Sequence, residues 1–277
     1  MKSADKSNKF ATQIRIETLK SLRTRGFGHV GGCMSVIETL AVLYTDVMKY
    51  DPKNPEWEER DYLILSKGHA GPSLFATLAL KGFFPMEWMD KLSEPKTNLP
   101  SHCDRLKTPG IDVSTGSLGQ GLSIGAGLAQ GFKLLNKTNR VYAILGDGEC
   151  EEGQIWEAAQ YAVHYNLGNL IAFVDWNKKQ VDGELTKILN PLDLRSKFAV
   201  FGWYALQANG SNTAEILSAI RKAQSEQGNK PAAIILDGIK GSGVPEFEEM
   251  EFNHHFAFEP DLINRVIDTL EKKLAAL

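Results

Sequence analysis

The sequence predicts an α/β protein built in three layers, a parallel sheet with helices on both faces. Short apolar strands alternate with helices along the chain, and strands joined through helices normally run parallel. The predicted interior strands are continuous apolar runs, which is typical of strands buried on both faces. The chain has 277 residues, 43% of them hydrophobic, so it can bury one large core. We therefore expect a single domain over residues 1–277.

The predicted elements follow this alternation from end to end. The first helix is predicted over Phe10–Thr24 and the second over Ser35–Lys49, where Ser35 and Glu38 form a capping-box pattern. Residues 93–115 are rich in Pro, Thr and Ser, and we expect an irregular segment with a function. The predicted strands are Tyr62–Leu65, Val141–Leu145, Leu170–Val174, Trp203–Ala208 and Ala232–Leu236. The remaining predicted helices are Pro72–Lys81, Leu118–Leu135, Gln154–Tyr165, Thr213–Glu226 and Asp261–Leu274.

Composition argues against several classes of protein. The net charge is −3, so no strong basic field would recruit nucleic acid or anionic lipid. Three cysteines, an odd number without close spacing, argue against a disulfide framework or a cysteine-based zinc site. The polar N-terminus lacks the apolar core of a signal peptide, and the least charged long stretch, Val113–Phe132, is too polar for a membrane span. We expect a cytoplasmic protein that binds neither nucleic acid nor membrane.

Polar side chains follow two of the predicted strands. Asp147 stands between two glycines after the strand at 141–145, and Asn177 follows the strand at 170–174. Their separation of 30 positions is one strand–helix–strand unit, so the two side chains can meet above one sheet edge. Carboxylate and amide oxygens suit Mg²⁺ or Ca²⁺, and Gly148 with helix N–H groups would suit a diphosphate. Each motif alone is also common turn chemistry.

Histidines are scarce, and most stand in irregular segments. Of the six, those in such segments are His29, His69, His102, His254 and His255. Imidazole binds anions and exchanges protons near neutral pH. A single loop histidine is more often structural, so the residue type alone leaves their role open. His164, inside a predicted helix, is expected to be structural.

The densest glycine run, Gly116–Gly125, allows a different function, a nicotinamide-cofactor loop. Gly119, Gly121 and Gly125 are spaced G-x-G-x-x-x-G. That fingerprint needs a strand directly before it and an acidic residue about 20 positions further on. Residues 111–115 make a poor strand, and no acidic residue ends a following strand at that distance. This function is therefore disfavoured.

Five motifs, in this order and spacing, resemble the N-terminal half of transketolases over about residues 10–275. They are Gly28-His29-Val30-Gly31-Gly32, Ser66-Lys67-Gly68-His69-Ala70, Ser114-Thr115-Gly116-Ser117-Leu118-Gly119-Gln120-Gly121, Gly146-Asp147-Gly148 and Asp175-Trp176-Asn177. The resemblance implies a thiamine-diphosphate-binding fold. It also implies transfer of a two-carbon ketol unit from a ketose or ketose phosphate to an aldose or aldose phosphate, as in the pentose phosphate pathway.

The resemblance also implies roles for individual residues. It places Mg²⁺ or Ca²⁺ on the side chains of Asp147 and Asn177 and the backbone carbonyl of Lys179. The cofactor contacts that it implies are Lys67, His69, Gly116, Leu118, Gly146, Gly148, Glu152, Asn177, Lys240 and His254. The catalytic histidines that it implies are His29, His69, His102 and His254. His254 stands fourteen residues after Lys240, but the usual Trp-His-Gly is absent, so His255 remains an alternative.

The chain departs from the family in length. A full transketolase is more than twice as long, and its second domain supplies the glutamate that activates the cofactor. The resemblance therefore implies one chain of a two-subunit transketolase, with a C-terminal subunit that carries the pyrimidine-binding domain, and two such pairs in a heterotetramer.

Three alternatives stay open beside that interpretation. The first is another thiamine-diphosphate enzyme, such as the α subunit of a 2-oxo acid dehydrogenase. The second is a non-catalytic regulatory subunit. The third is a transketolase for a sulfosugar, a branched sugar or an antibiotic precursor.

Overall fold

The central layer is a sheet of five parallel strands. The computed structural model describes residues 3–277, with side chains from Asp5 onward. The strands are β1 Phe27–Gly28, β2 Tyr62–Leu65, β3 Val141–Gly146, β4 Leu170–Trp176, β5 Lys179–Gln180, β6 Gly183–Glu184, β7 Tyr204–Asn209, β8 Ala232–Asp237 and β9 Phe256–Ala257. The main sheet has the order β2-β3-β4-β8-β7, and every pair in it is parallel.

Helices cover both faces of this sheet. They are α1 Ser3–Arg25, α2 Val30–Met34, α3 Ile37–Val42, α4 Gly71–Lys81, α5 Gln120–Leu134, α6 Gly153–His164, α7 Leu185–Ile188, α8 Leu194–Val200, α9 Thr213–Glu226, α10 Pro245–Glu248 and α11 Pro260–Ala276. Strand β3 shows why helices are needed on both faces of the sheet, because its apolar side chains alternate between two cores. Its Tyr142 and Ile144 join the core under α1, α3, α4, α9 and α11, whereas Val141, Ala143 and Leu145 join the core under α5, α6 and α8. The predicted three-layer α/β class is thus confirmed.

The region after α2 differs from its prediction. Instead of one helix with Ser35 as its N-cap, α2 ends at Met34, α3 begins at Ile37, and a π-helical turn follows over Leu43–Val47. Ser35 Oγ donates a hydrogen bond to the Asp175 carboxylate at 2.7 Å. Glu38 accepts one from Arg15 at 2.6 Å. The predicted capping box is wrong because distant polar partners take both side chains.

The other long elements agree with prediction to within a few residues, except that α1 begins seven residues before Phe10. The predicted irregular segment, 93–115, contains no helix and no strand. The prediction lacked the two short antiparallel pairs, β1 with β9 and β5 with β6. A strand of two residues is too short to show a periodicity in the sequence.

One stretch of the described chain, Val30–Val47, is long and apolar enough to cross a membrane by length and composition. Of that stretch, 83% is buried inside the fold. A buried core helix of a soluble protein has the same composition, so the stretch is weak evidence for a membrane span.

Candidate active site

The site lies where β3 and β4 end. These strands are neighbours, and Gly146 pairs with Asp175, so the residues that follow both strands meet at one edge. Asp147 is 2% exposed and Asn177 is 5% exposed. Backbone N–H groups of Gly148 and Lys178 donate to the two oxygens of Asp147, at 2.9 and 2.6 Å. The structure thus brings both residues to one edge of the sheet, as expected from their spacing, and both line one cavity there.

A cavity opens over this edge, and it collects nearly all of the predicted cofactor and metal residues. Of those residues, only Gly116 is outside its lining, because Gly116 packs against the ring of His102. The lining consists of Gly32, Lys67, His69, Leu118, Gly146, Asp147, Gly148, Glu149, Glu151, Glu152, Asn177, Lys179, Gln180, Val181, Lys240 and His254. Motifs from five separate parts of the chain thus converge on one concave surface.

The oxygens at the base of the cavity fit a hard divalent cation. Burial first, and then the neighbouring Asp175, raise the pKa of Asp147 to about 7, while the backbone N–H groups of Lys178 and Gly148 and the charge of Lys67 oppose that shift. Within the described residues, no group of three or more His, Cys, Asp and Glu side chains is placed to hold a metal. A cation here would therefore use the amide oxygen of Asn177 and the carbonyl of Lys179 beside the Asp147 carboxylate. Such an oxygen set suits Mg²⁺ or Ca²⁺ rather than zinc.

Asp175 organises the floor of the cavity, a role that the sequence pattern did not predict. One of its oxygens, Oδ2, accepts hydrogen bonds from Ser35 Oγ, Lys67 Nζ and Asn177 Nδ2, at 2.7, 2.5 and 2.8 Å. Because the Asn177 amide nitrogen is bound there, its oxygen is turned away from Asp175. Asp175 therefore fixes which end of the amide faces away from it; that oxygen accepts a hydrogen bond from the Lys179 backbone N–H at 3.2 Å. The position of Asp175 two residues before Asn177 was the available signal.

Lys240 links the backbone carbonyl of Lys179 to the side chain of His254. Its ammonium donates to the Lys179 carbonyl at 2.9 Å, and it lies 3.0 Å from Nδ1 of His254. Burial first, and then Lys67, lower the pKa of Lys240 to about 8, while Asp147 and Asp175 oppose that shift. Lys67 and Lys240 thus place two cationic groups beside the cavity, where an anionic ligand would be stabilised.

Five histidines meet at this end of the sheet. The ring centroid of His29 lies 5.4 Å from that of His69, 5.9 Å from His102, 5.2 Å from His254 and 4.6 Å from His255. His254 and His255 therefore both belong to the cluster. His254 lines the cavity and His255 packs on the outer side against Phe27.

Burial favours the neutral form of four histidines of this cluster, because it lowers the pKa of each. It is the first cause of the lowered pKa of His29, to about 4, and of His254, to about 3. Burial and Lys67 lower the pKa of His69 well below its usual value, and burial also lowers that of His102. Neutral imidazoles present one N–H donor and one acceptor each, so they can bind hydroxyl groups and relay protons.

Glu149 ties the glycine loops to the cavity, a second role that the sequence pattern did not predict. Its carboxylate accepts hydrogen bonds from Ser66 Oγ and from the backbone N–H groups of Gly119 and Gly146, the latter two at 2.9 Å. Gly121 packs directly on Ser66, where an added Cβ would clash with the hydroxyl oxygen. The glycines of the 116–125 run therefore serve close packing at the site.

A parallel α/β fold, with a lysine-flanked cavity at the carboxyl edge of its sheet and histidines beside it, defines an enzyme whose site suits a diphosphate cofactor. The family model "Transketolase, thiamine diphosphate binding domain" matches residues 6–272. The chain therefore belongs to the transketolase family, a family of transferases, and forms its thiamine-diphosphate-binding domain.

Comparisons with individual proteins agree with this family assignment. The chain is 48% identical to the 6-deoxy-6-sulfo-D-fructose transketolase subunit SqwG of Clostridium sp. (strain MSTE9), over 95% of both chains. It is 37% identical to one subunit of the apulose-4-phosphate transketolase of Phocaeicola vulgatus, over 82% of this chain and 80% of that one. The crystal structure of transketolase from Campylobacter jejuni superposes with a TM-score of 0.87 at 26% identity, over 98% of this chain but only 43% of that one.

Proposed function

We propose that the chain is the diphosphate-binding subunit of a two-subunit transketolase, which transfers a two-carbon ketol unit from a ketose to an aldose. One observation carries the proposal: Asp147 and Asn177 line one cavity together with His69 and His254, two members of the histidine cluster. The chain also spans nearly the full length of relatives that are named subunits, but less than half of a full-length transketolase. In this proposal the protein is cytoplasmic.

The residues divide into two tasks. Asp147, Asn177 and the Lys179 carbonyl would hold Mg²⁺ or Ca²⁺, with Gly148, Lys67 and Lys240 beside the diphosphate. Leu118, Glu152 and the 116–119 loop would border the rest of the cofactor. Thiamine diphosphate, when bound, supplies the carbanion chemistry that breaks and forms the carbon–carbon bond.

His29, His69, His102 and His254 would bind the sugar hydroxyls and move protons between them. Their neutrality supports this task, since a neutral imidazole can accept a proton at one nitrogen while the other donates. The cofactor cavity lies on the inner side of the cluster, so the ketose would approach from the outer side, where His255 and Phe27 lie.

The proposed donor is a ketose of an uncommon type that carries a terminal anion, rather than the sugar phosphates of central metabolism alone. Support comes from the relatives, whose names specify 6-deoxy-6-sulfo-D-fructose and apulose 4-phosphate. A C-terminal subunit with a pyrimidine-binding domain is the proposed partner, and a heterotetramer is the proposed assembly.

The test begins with a tagged chain captured from its native extract in the presence of thiamine diphosphate and Mg²⁺. The bound chain is sequenced, and the purified pair is assayed for ketol transfer from a panel of ketoses. We expect a second chain with a pyrimidine-binding domain and transfer only by the pair. Decarboxylation of pyruvate without sugar transfer would instead identify a 2-oxo acid enzyme. A pair whose activity is unchanged by Asp147→Ala and His29→Ala would identify a regulatory subunit.

A further inference from the structure

A second, smaller pocket lies on the outer side of the histidine cluster. His29 and His69 form its inner wall, which is therefore shared with the proposed site of ketol transfer. The polar side chains of the remaining lining are Arg25, Ser93, Ser101 and His255, and the rest of it is apolar.

Arg25 is the cation of this pocket. Its Nη1 donates to Ser101 Oγ at 3.1 Å, and its guanidinium carbon lies 4.4 Å from the centroid of the Phe27 ring. The Ser101 hydroxyl is in turn 2.9 Å from that of Ser93. Among residues 5–277, no carboxylate lies within ion-pair distance of Arg25. A half-buried guanidinium that is positioned by an aromatic ring and a hydroxyl, yet lacks an anion, is prepared to bind one.

This pocket cannot bind the diphosphate of the cofactor, because the histidine cluster lies between the pocket and the cofactor cavity. The oxygens of Asp147 and Asn177 and the two site lysines lie on the inner side, and Lys240 touches His254 there. On the outer side His255 packs on His29, Phe27 packs on His255, and Arg25 covers Phe27. A ketose whose reacting carbon lies at His29 would therefore extend its far end toward Arg25.

We propose that Arg25, with the hydroxyls of Ser93 and Ser101, binds the terminal oxyanion of the donor ketose, a sulfonate or a phosphate. The inference rests on the proposed function and adds this chain's own determinant of donor specificity. A planar guanidinium matches two oxygens of either group, and the serine hydroxyls would donate to a third. A sulfonate and a phosphate each present three oxygens to the pocket. Kinetic measurements with one donor of each kind are therefore needed to distinguish them.

The test uses the reconstituted pair with Arg25→Gln, which removes the charge. Its matched control is Arg23→Gln, because Arg23 lies two residues away on α1 and bonds Asn264 instead. KM is measured for 6-deoxy-6-sulfo-D-fructose, for fructose 6-phosphate and for uncharged erythrulose. We expect Arg25→Gln to raise KM for a ketose with a terminal anion roughly 10- to 100-fold, the value of a charge-assisted hydrogen bond, with kcat nearly kept. Erythrulose and the Arg23→Gln control should be unaffected, and Arg25→Lys should fall between wild type and Arg25→Gln.

The pattern of KM changes decides the assignment. A rise for the sulfonate alone or the phosphate alone identifies the anion, whereas an equal rise for erythrulose shows a structural role and overturns the proposal. If the reconstituted pair transfers a ketol unit from none of these ketoses, the proposed function is wrong. The pocket can then still be tested by ligand binding. Calorimetric binding of the sulfonated ketose to wild-type and Arg25→Gln chains is then compared. Affinity independent of Arg25 would overturn the subsite.

Discussion

Lys67 and Asp175 form a buried ion pair in the floor of the cavity, with 2.5 Å between Nζ and Oδ2 and each side chain 2% exposed. The pair connects the segment after β2 with the end of β4, 108 positions apart. Asp175 also holds Asn177, so the pair positions a proposed metal ligand. We therefore expect stability and cofactor binding to depend on the same two charges.

Removing one charge of this pair should lower the free energy of unfolding more than removing both charges does. Lys67→Met leaves the Asp175 carboxylate buried without its partner, and we expect a loss of about 3–5 kcal/mol in the free energy of unfolding. The double variant Lys67→Met/Asp175→Asn should recover part of that loss. Urea unfolding of the two variants measures how much of the lost stability the second substitution recovers.

The matched control is Lys178→Met, which breaks the exposed pair with Asp237 and should cost about 1 kcal/mol or less. Equal losses from Lys67→Met and Lys178→Met would contradict the prediction.

Loss of the Asp147 carboxylate should abolish metal-dependent cofactor binding. In Asp147→Ala, only the Asn177 amide and the Lys179 carbonyl remain as proposed protein ligands, and neither carries a charge. We expect affinity for thiamine diphosphate in the presence of Mg²⁺ to fall by at least about 100-fold, beyond the loss typical of an outer-shell change. Isothermal titration calorimetry on the complex measures it, and circular dichroism checks the fold. Glu157→Ala, on the exposed face of α6, is the control. Retained affinity in Asp147→Ala would remove this residue from the metal site.

The sheet and the base of the site could be predicted because both depend on local pattern. Apolar runs mark β3 and β4, and parallel neighbours bring their carboxyl ends together, so Asp147 and Asn177 line the same cavity. Ser35 and Glu38 show where local pattern fails. Their partners, Asp175 and Arg15, lie 140 and 23 positions away.

Two functional contacts could not be predicted from spacing. Glu149 joins Ser66, Gly119 and Gly146, and nothing in its neighbourhood distinguishes it from the other acidic residues that follow β3. Arg25 is likewise one of several cations near the end of α1, and only the fold brings it to Ser101. Tertiary packing decides which member of a locally equivalent set reaches the site.

The buried histidines should make the fold less stable in acid. The pKa of His29 is lowered to about 4 and that of His254 to about 3, whereas both would be near 6.5 in the unfolded chain. Below pH 6.5 the unfolded chain takes up protons that the folded chain does not, so this contribution to stability is complete above 6.5. It is lost progressively as pH falls below 6.5, and the loss is complete below about 4 for His29 and about 3 for His254.

Urea unfolding at pH 7 and pH 5 measures this effect. We expect His29→Gln to reduce the difference in unfolding free energy between the two pH values. His164→Gln, on the exposed end of α6, should leave the difference as in the wild type. If His29→Gln keeps the full acid sensitivity, the histidine cluster is not its source.

Two glycines of α5 should respond to the same substitution with opposite signs. At Gly121, an added Cβ would clash with Ser66 Oγ and lie 2.9 Å from the Ser66 backbone Cα, so Ser66 would be pushed from Glu149. We expect Gly121→Ala to cost about 1–3 kcal/mol, as overpacking does, and to weaken cofactor binding. At Gly127, nothing lies within 4 Å, and Gly127→Ala should stabilise the helix by about 0.5–1 kcal/mol. Thermal unfolding of the two variants, with calorimetry for the cofactor, tests both signs. Equal stabilisation by the two substitutions would show that α5 does not press on Ser66.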